Sequence, residues 1–156
     1  MIVKTQSGSV VNVVNVVNVV NAQCFREKDE VDWRSWKPKR GEIYLCQLGN
    51  EGLLDSEIKG YRPVLIVSND IANRHSPVVT IIPLTSSQIK NNNMPIHVKV
   101  GIEEGLRTSS LICCEQTKTV SKNRMFINGS LVRICKLSNE SMCKVDNALK
   151  IQFGLV

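Results

Sequence analysis

The strongest constraint on the fold is a series of short apolar runs separated by turn residues. It begins at Lys39, and helical periodicity replaces it only near the end of the chain. Gly41-Glu42-Ile43-Tyr44-Leu45-Cys46 opens the series. Pro63-Val64-Leu65-Ile66-Val67, the run from Val78 to Leu84, Ile96-His97-Val98-Lys99-Val100 and Leu111-Ile112-Cys113-Cys114 follow. Short runs bounded by turn residues are strand signals. Unbroken apolarity over Pro63–Val67 predicts a strand buried on both faces, and the alternation of Ile96–Val100 predicts a half-exposed one. Between Leu48 and Tyr61, Gly49, Gly52 and Gly60 with Glu51, Asp55, Glu57 and Lys59 mark a long loop. After Ser138, a good N-cap, Glu140 falls in a first helical turn. Met142, Val145, Ala148 and Leu149 recur at helical spacing, and Gly154 can close the helix. Five or so strands and one amphipathic helix predict an α+β chain, mainly β: a small curved sheet or barrel closed by a C-terminal helix.

The 156 residues suit one domain with one sizeable core. Twenty lysines and arginines against fourteen acids give a net charge of +6, which favours an anionic partner without suggesting a histone-like coat protein. No stretch approaches the roughly 20 continuous apolar residues of a membrane span, so a spanning helical protein is excluded. The start, Met1-Ile2-Val3-Lys4-Thr5-Gln6, does not read as a signal peptide. The six cysteines (24, 46, 113, 114, 135 and 143) include no Cys-x-x-Cys, and the adjacent pair 113–114 would point to opposite faces of a strand. They read as reduced core thiols of a cytoplasmic protein. With only His75 and His97 besides, a zinc site has almost nothing to build from, so neither metal nor cofactor is expected.

Residues 1–38 are set apart as an N-terminal extension, and 39–156 as the folded unit. Val10 to Asn21 is four copies of Val-Val-Asn. Period three matches neither strand nor helix, so the tract cannot offer one clean face to a core. It reads as a low-complexity expansion, the sharper alternative being an oligomerisation or docking arm. Arg26 to Trp36 is charge-rich, with Arg26/Glu30 and Lys28/Asp32 at i,i+4 spacing, and predicts a short surface helix. Trp33 and Trp36 would share one side of it, capping the edge of the following unit or, less simply, stacking on bases.

There is no phosphate-binding loop, nucleophile elbow or metalloprotease motif. What remains is a set of polar residues at element ends. Arg62 stands before the buried run Pro63–Val67, and Thr85, Ser86 and Ser87 follow Leu84. Ser56 and Glu57 lie in the long loop, and Glu115, Gln116 and Lys118 leave the run ending at Cys114. One arginine, several hydroxyls and an acid could surround one anionic group. Lys118, Lys122 and Arg124 predict a solvated face that also attracts phosphate backbone. His97, in a strand, reads as a structural histidine more readily than as a general base.

Several motifs resemble the MazF/PemK toxin family. They are Lys39-Arg40-Gly41-Glu42-Ile43-Tyr44, the run from Gly60-Tyr61-Arg62-Pro63 to Asp70, Asn73-Arg74-His75-Ser76-Pro77, Pro83-Leu84-Thr85-Ser86-Ser87 and Met94-Pro95-Ile96-His97-Val98. The similarity continues through Leu111 to Val120, Arg124 and the end of the final helix, over about residues 39–155. It implies an SH3-like barrel of about five to seven strands, of the CcdB/PemK type, closed by the C-terminal helix. It also implies a homodimeric toxin of a type II toxin–antitoxin pair, which cuts single-stranded mRNA at short motifs without a metal. The products would be a 2′,3′-cyclic phosphate and a 5′-hydroxyl. An acidic MazE-like antitoxin would wrap the dimer, and DNA would be bound only through that antitoxin.

Carried over by position, Arg62 and Thr85 would be the catalytic pair, with Ser56 and Glu57 in the loop near the cut. Ser86, Ser110, Glu115, Gln116 and Lys118 would contact RNA. A guanidinium suits the task because its forked donors can hold two phosphoryl oxygens and its charge persists as negative charge builds. Glu57 or water would take the 2′-hydroxyl proton. The loop from Leu48 to Gly60 lacks the family's usual proline and is longer than typical, which bears on the RNA sequence chosen. The alternative from another class is a CcdB-like barrel that poisons DNA gyrase without catalysis. That relative lacks the arginine–threonine pair and depends on a C-terminal tryptophan, whereas this chain ends Gln152-Phe153-Gly154-Leu155-Val156.

Overall fold

The structure, a computed structural model, describes residues 3–4, 10–11, 23–25, 32–49, 57–86 and 94–155. Most of the Val-Val-Asn tract, residues 26–31 of the expected surface helix, and Ser56 lie outside the described residues. In chain order the strands are β1 (Val3–Lys4), β2 (Val10–Val11), β3 (Gln23–Phe25), β4 (Glu42–Gln47), β5 (Tyr61–Ile66), β6 (Val78–Ser86), β7 (His97–Val100), β8 (Ser110–Cys113), β9 (Lys118–Ser121), β10 (Phe126–Ile127) and β11 (Ser130–Lys136). Among the described residues two α-helices join them, α1 (Asp70–His75) and α2 (Asn139–Phe153). β1 and β2 pair with each other. The other nine form one sheet in the order β10-β11-β4-β5-β6-β8-β7, with β3 added on β11 and β9 on β6, and every pairing is antiparallel.

The expected class holds: mostly antiparallel sheet with a C-terminal helix. Among the described residues the ladder path is open, with β10 and β7 at its ends, so their hydrogen bonds do not close it into a full barrel. Nine strands exceed the expected five to seven. β9 and β11 carry lysine and arginine amid their apolar residues, and β3 and β10 are only three and two residues long.

Two cores explain the apolar runs. Ile43, Leu65, Ile82, Leu84, Val98, Ile112, Ile134, Val145 and Ala148 belong to one, which includes the inner face of α2. Trp36, Tyr44, Cys46, Val64, Ile66, Val79, Ile81 and Met125 belong to the other. Cross-strand partners agree: Ile43 faces Leu65 in the first core, and Tyr44 faces Val64 in the second. β5 therefore buries both its faces, as its unbroken apolarity required.

The segment ahead of β4 is not the expected helix where it is described. Trp33–Ser35 is a turn, in which the Asp32 carboxylate accepts from the Arg34 N–H at 3.0 Å and competes with helical bonding. Trp36 is buried and packs edge-on against Tyr44 and Phe126, with ring centroids 4.9 and 5.7 Å away. Among the cysteines, Cys46, Cys113 and Cys114 are buried, Cys135 is half-buried, and Cys143 is exposed, against the expectation of core thiols throughout. Burial pushes the Cys46 and Cys114 thiols up to about 12, so both are poor nucleophiles.

α2 begins as its sequence predicts. The Ser138 hydroxyl accepts from the Ser141 N–H at 3.2 Å, and Gly154 ends the helix in the left-handed region at φ 65°. Glu104, from a distant turn, adds to the cap. Its carboxylate accepts from the Ser138 N–H at 2.7 Å, the Ser138 hydroxyl at 2.6 Å and the Ser141 hydroxyl. Burial would raise the Glu104 carboxyl, but these bonds outweigh it and hold the group below its ordinary range. A depressed carboxyl contributes stability above its unfolded pKa of about 4.3 and loses it as pH falls through the folded value. Glu104→Gln is therefore expected to lower the melting temperature at neutral pH and to narrow its gap from the parent in acid. A gap that stays constant from pH 7 to pH 3 would contradict this. Ser138→Ala is expected to cost about 1 kcal/mol by denaturant unfolding.

Candidate active site

Arg62 and Thr85 are carried by neighbouring strands at the point where those strands part. β5 and β6 pair at Ile66–Ile81, Leu65–Ile82 and Val64–Pro83, where the ladder stops. Pro63 and Pro83 have no N–H to continue it. Extending the register by two residues sets Arg62 opposite Thr85. By strand alternation both share the face of Val64, Ile66 and Ile81, so they prolong the second core's face beyond its apolar part.

β6 holds Thr85 from its other edge by pairing it with Leu111 of β8, and Ser86 with Ser110. Thr85 and Ser110 are half-buried and Ser86 is exposed. The Ser110 hydroxyl donates to the Thr108 carbonyl at 3.2 Å. Arg62 is exposed, and its Nε donates to the Lys59 carbonyl at 3.1 Å. Among the described residues no carboxylate lies within ion-pair distance of its guanidinium. The Lys59 bond steadies the side chain from one edge and leaves the forked terminal nitrogens for an anion.

The loop before Arg62 is closed at its base. Gly49 and Gly60 adopt φ of 83° and 74°, the Leu48 N–H donates to the Gly60 carbonyl, and the Gly60 N–H donates to the Gly49 carbonyl. These left-handed positions favour glycine. Glu57, from the described end of this loop, faces Lys118 of β9 at 3.9 Å. Gln116 meets the same loop, its Oε1 lying 3.5 Å from the Ile58 N–H. Leu48, Glu57, Glu115, Gln116, Lys118 and Arg124 line part of an open groove of ≈ 660 Å³. The groove gathers four of the expected RNA-site residues, namely Glu57, Glu115, Gln116 and Lys118. Arg62, Thr85, Ser86 and Ser110 are outside its lining, at the ends of β5, β6 and β8. Its charge is mixed, two carboxylates against two cations, rather than uniformly basic.

One expectation for a basic group changes and one for a histidine holds. Lys122 is not on a solvated face: it is 2% exposed, and its ammonium donates to the Asn73 carbonyl of α1 at 2.6 Å. Burial, and then Lys37 nearby, lower its pKa. Lys37 makes the same kind of bond to the Arg74 carbonyl at 2.9 Å, so two lysines satisfy carbonyls in the last turn of α1. His97 is structural in the sense expected, since its side chain is 9% exposed and Nε2 lies 2.8 Å from Glu115. A ring nitrogen of His97, the Cys113 sulfur and a Glu115 carboxylate oxygen all lie within 4.8 Å of one another.

Residues 39–153 match the family of PemK-like, MazF-like toxins of type II toxin–antitoxin systems. Endoribonuclease EndoA of Bacillus subtilis (strain 168) is 37% identical over 119 residues, which cover 76% of this chain and 96% of that protein. The fold is similar to that of a solved endoribonuclease in complex with its cognate antitoxin from Mycobacterial species. The TM-score is 0.60 at 27% identity, over 76% of this chain and 97% of that one. It is also similar to MazF from Deinococcus radiodurans, with a TM-score of 0.61 at 18% identity over 76% and 98% of the two chains, a likeness of fold alone. These matches do not favour the gyrase-poisoning alternative. The motifs spread from Lys39 to the end of α2 thus have a common origin, and the chain belongs to the PemK-like, MazF-like toxins of type II toxin–antitoxin systems.

Proposed function

We propose that this toxin is an endoribonuclease that cuts single-stranded mRNA in the cytoplasm and so stops translation, with no metal in the reaction. The observation that carries the reading is the pair Arg62 and Thr85 at the parting of β5 and β6, with a guanidinium that has no acidic partner among the described residues. The RNA 2′-hydroxyl attacks the adjacent phosphorus, the 2′-oxygen–phosphorus bond forms, and the bond to the 5′-oxygen breaks. A 2′,3′-cyclic phosphate and a 5′-hydroxyl result. The 2′ proton passes to Glu57 or to water, and the leaving oxygen takes one from solvent. Arg62 neutralises the charge that builds on the phosphoryl oxygens, and Thr85 donates a hydrogen bond to them. Ser56, Ser86, Ser110, Glu115, Gln116 and Lys118 hold the flanking nucleotides.

The active unit is a homodimer built on residues 39–156, to which residues 1–38 add the strand β3 and the core side chain of Trp36. An acidic MazE-like antitoxin covers the RNA site, and DNA is reached only through that partner. Charge complementarity with a chain of net charge +6 supports an acidic antitoxin. Among the described residues no helix is long and apolar enough to cross a membrane.

Cleavage of a long single-stranded RNA by the purified chain tests the reading. Activity is expected to persist in excess EDTA and to fall as sodium chloride rises from 50 to 300 mM. Loss of cutting in chelator, restored by Mg²⁺ or Mn²⁺, would overturn the metal-free mechanism. Thr85→Val is expected to lower the single-turnover rate by about 10²-fold, while Thr85→Ser keeps most of it.

A further inference from the structure

We infer that His97, Cys113 and Glu115 form a binding site for a borderline-soft divalent cation, best matched by Zn²⁺, whose occupancy inhibits RNA cleavage. The inhibitory half rests on the proposed role of Glu115 in the RNA groove; the binding half does not.

The three ligands converge through the fold. His97 and Cys113 are direct partners in the β7–β8 ladder, so their side chains stand on one face of the sheet. Glu115 follows in the 3-10 turn Cys114–Gln116. Their donor atoms lie within 4.8 Å of one another. Tetrahedral zinc sites hold nitrogen at about 2.0–2.1 Å and sulfur at about 2.3 Å, so ligand atoms stand roughly 3.3–3.8 Å apart. Closing the set therefore needs a movement of about 1 Å, which Glu115, the most exposed of the three at 33%, can make.

A second observation is independent of this spacing. The His97 side chain is nine-tenths buried, yet Nδ1 has no hydrogen-bond partner. The Cys113 thiol is also buried, and its polar contact is a weak one to the Leu111 carbonyl at 3.9 Å. A half-satisfied buried imidazole beside an under-used sulfur is costly without a ligand. Metal binding would engage a ring nitrogen of His97 and the Cys113 sulfur, with the thiol giving its proton to water. Nitrogen, sulfur and carboxylate together select Zn²⁺ or Co²⁺ over Mg²⁺ and Ca²⁺, which prefer oxygen alone. Three protein ligands leave the fourth position to water. Bound metal would hold the Glu115 carboxylate away from RNA.

The test is titration of the EDTA-treated full chain with Co²⁺, followed by optical absorption. One equivalent per chain should produce the intense visible bands of tetrahedral cobalt and a thiolate-to-cobalt charge-transfer band, both abolished by Zn²⁺. Cys113→Ser should lose the charge-transfer band while melting like the parent, and Glu115→Gln should bind at least about tenfold more weakly. A His75→Ala, Cys143→Ser double variant should bind normally. No thiolate band in the parent, or an undiminished band in Cys113→Ser, would overturn the site. Zn²⁺ should inhibit RNA cleavage by the parent and spare Cys113→Ser; equal sensitivity of the two would overturn the inhibitory role. A metal-free parent that binds Co²⁺ but cuts no RNA would leave the site standing and the nuclease reading fallen.

Discussion

Arg62→Ala should lower the single-turnover rate of RNA cleavage by about 10²–10³-fold while the melting curve stays close to that of the parent. The rate effect follows from the loss of a donor aimed at developing charge, worth about 2.7–4 kcal/mol when removed from comparable sites. The small effect on folding follows from the position of the side chain. It is exposed, makes one bond to the Lys59 carbonyl and joins no ion pair among the described residues. Arg62→Lys separates charge from geometry, because an ammonium keeps the charge and loses the fork. Its rate should fall between parent and alanine variant. If Arg62→Ala cuts at the parental rate, the guanidinium is not catalytic.

The largest stability effect should come from Trp36→Ala, at about 3–5 kcal/mol in denaturant unfolding, a fall in melting temperature of roughly 10 °C. Trp36 lies before the residues that match the family, yet it is buried in the second core between Tyr44 and Phe126. Removing the indole leaves a cavity and breaks two edge-to-face contacts. Trp36→Phe should recover much of the loss. A chain begun at Lys39 should melt below the full chain for the same reason. A change under 1 kcal/mol in Trp36→Ala would mean that the segment before β4 does not complete the core.

Much of the fold was legible because its signals are local. The apolar runs at β4, β5, β6, β7 and β8 and the cap-to-cap pattern of α2 lie within a few residues of where they were expected. The rest depends on partners far along the chain. β9, Lys-Thr-Val-Ser, is too polar to announce itself and exists because Val79 and Thr80 of β6 pair with it. β11 is an exception, since Val132 and Ile134 alternate inward with Arg133 between them, the local pattern of a half-buried strand. α1 is six residues long, too short for a helical period. Its sequence sign is the Asn69 cap, whose side chain accepts from the Ala72 N–H.

The same division holds at the candidate site. Arg62 and Thr85 stand at strand ends, a local signal, but their placement on one face follows from the β5–β6 register, which is paired as far as Val64–Pro83. Lys122 carries the charge of a surface residue, whereas the carbonyl it satisfies belongs to a helix distant in sequence. His97 and Cys113 become neighbours only through the β7–β8 ladder, which no metal-ligand spacing motif describes.

The most direct measurement of the central claim is the chemistry of the cut ends. A defined single-stranded RNA should be incubated with the purified chain in EDTA and its fragments resolved by mass spectrometry. Upstream fragments ending in a 2′,3′-cyclic phosphate and downstream fragments beginning with a 5′-hydroxyl are expected, both strongly reduced with Arg62→Ala over the same incubation. Fragments with a 5′-phosphate, or intact RNA after incubation with folded dimeric protein, would contradict attack by the 2′-hydroxyl at Arg62.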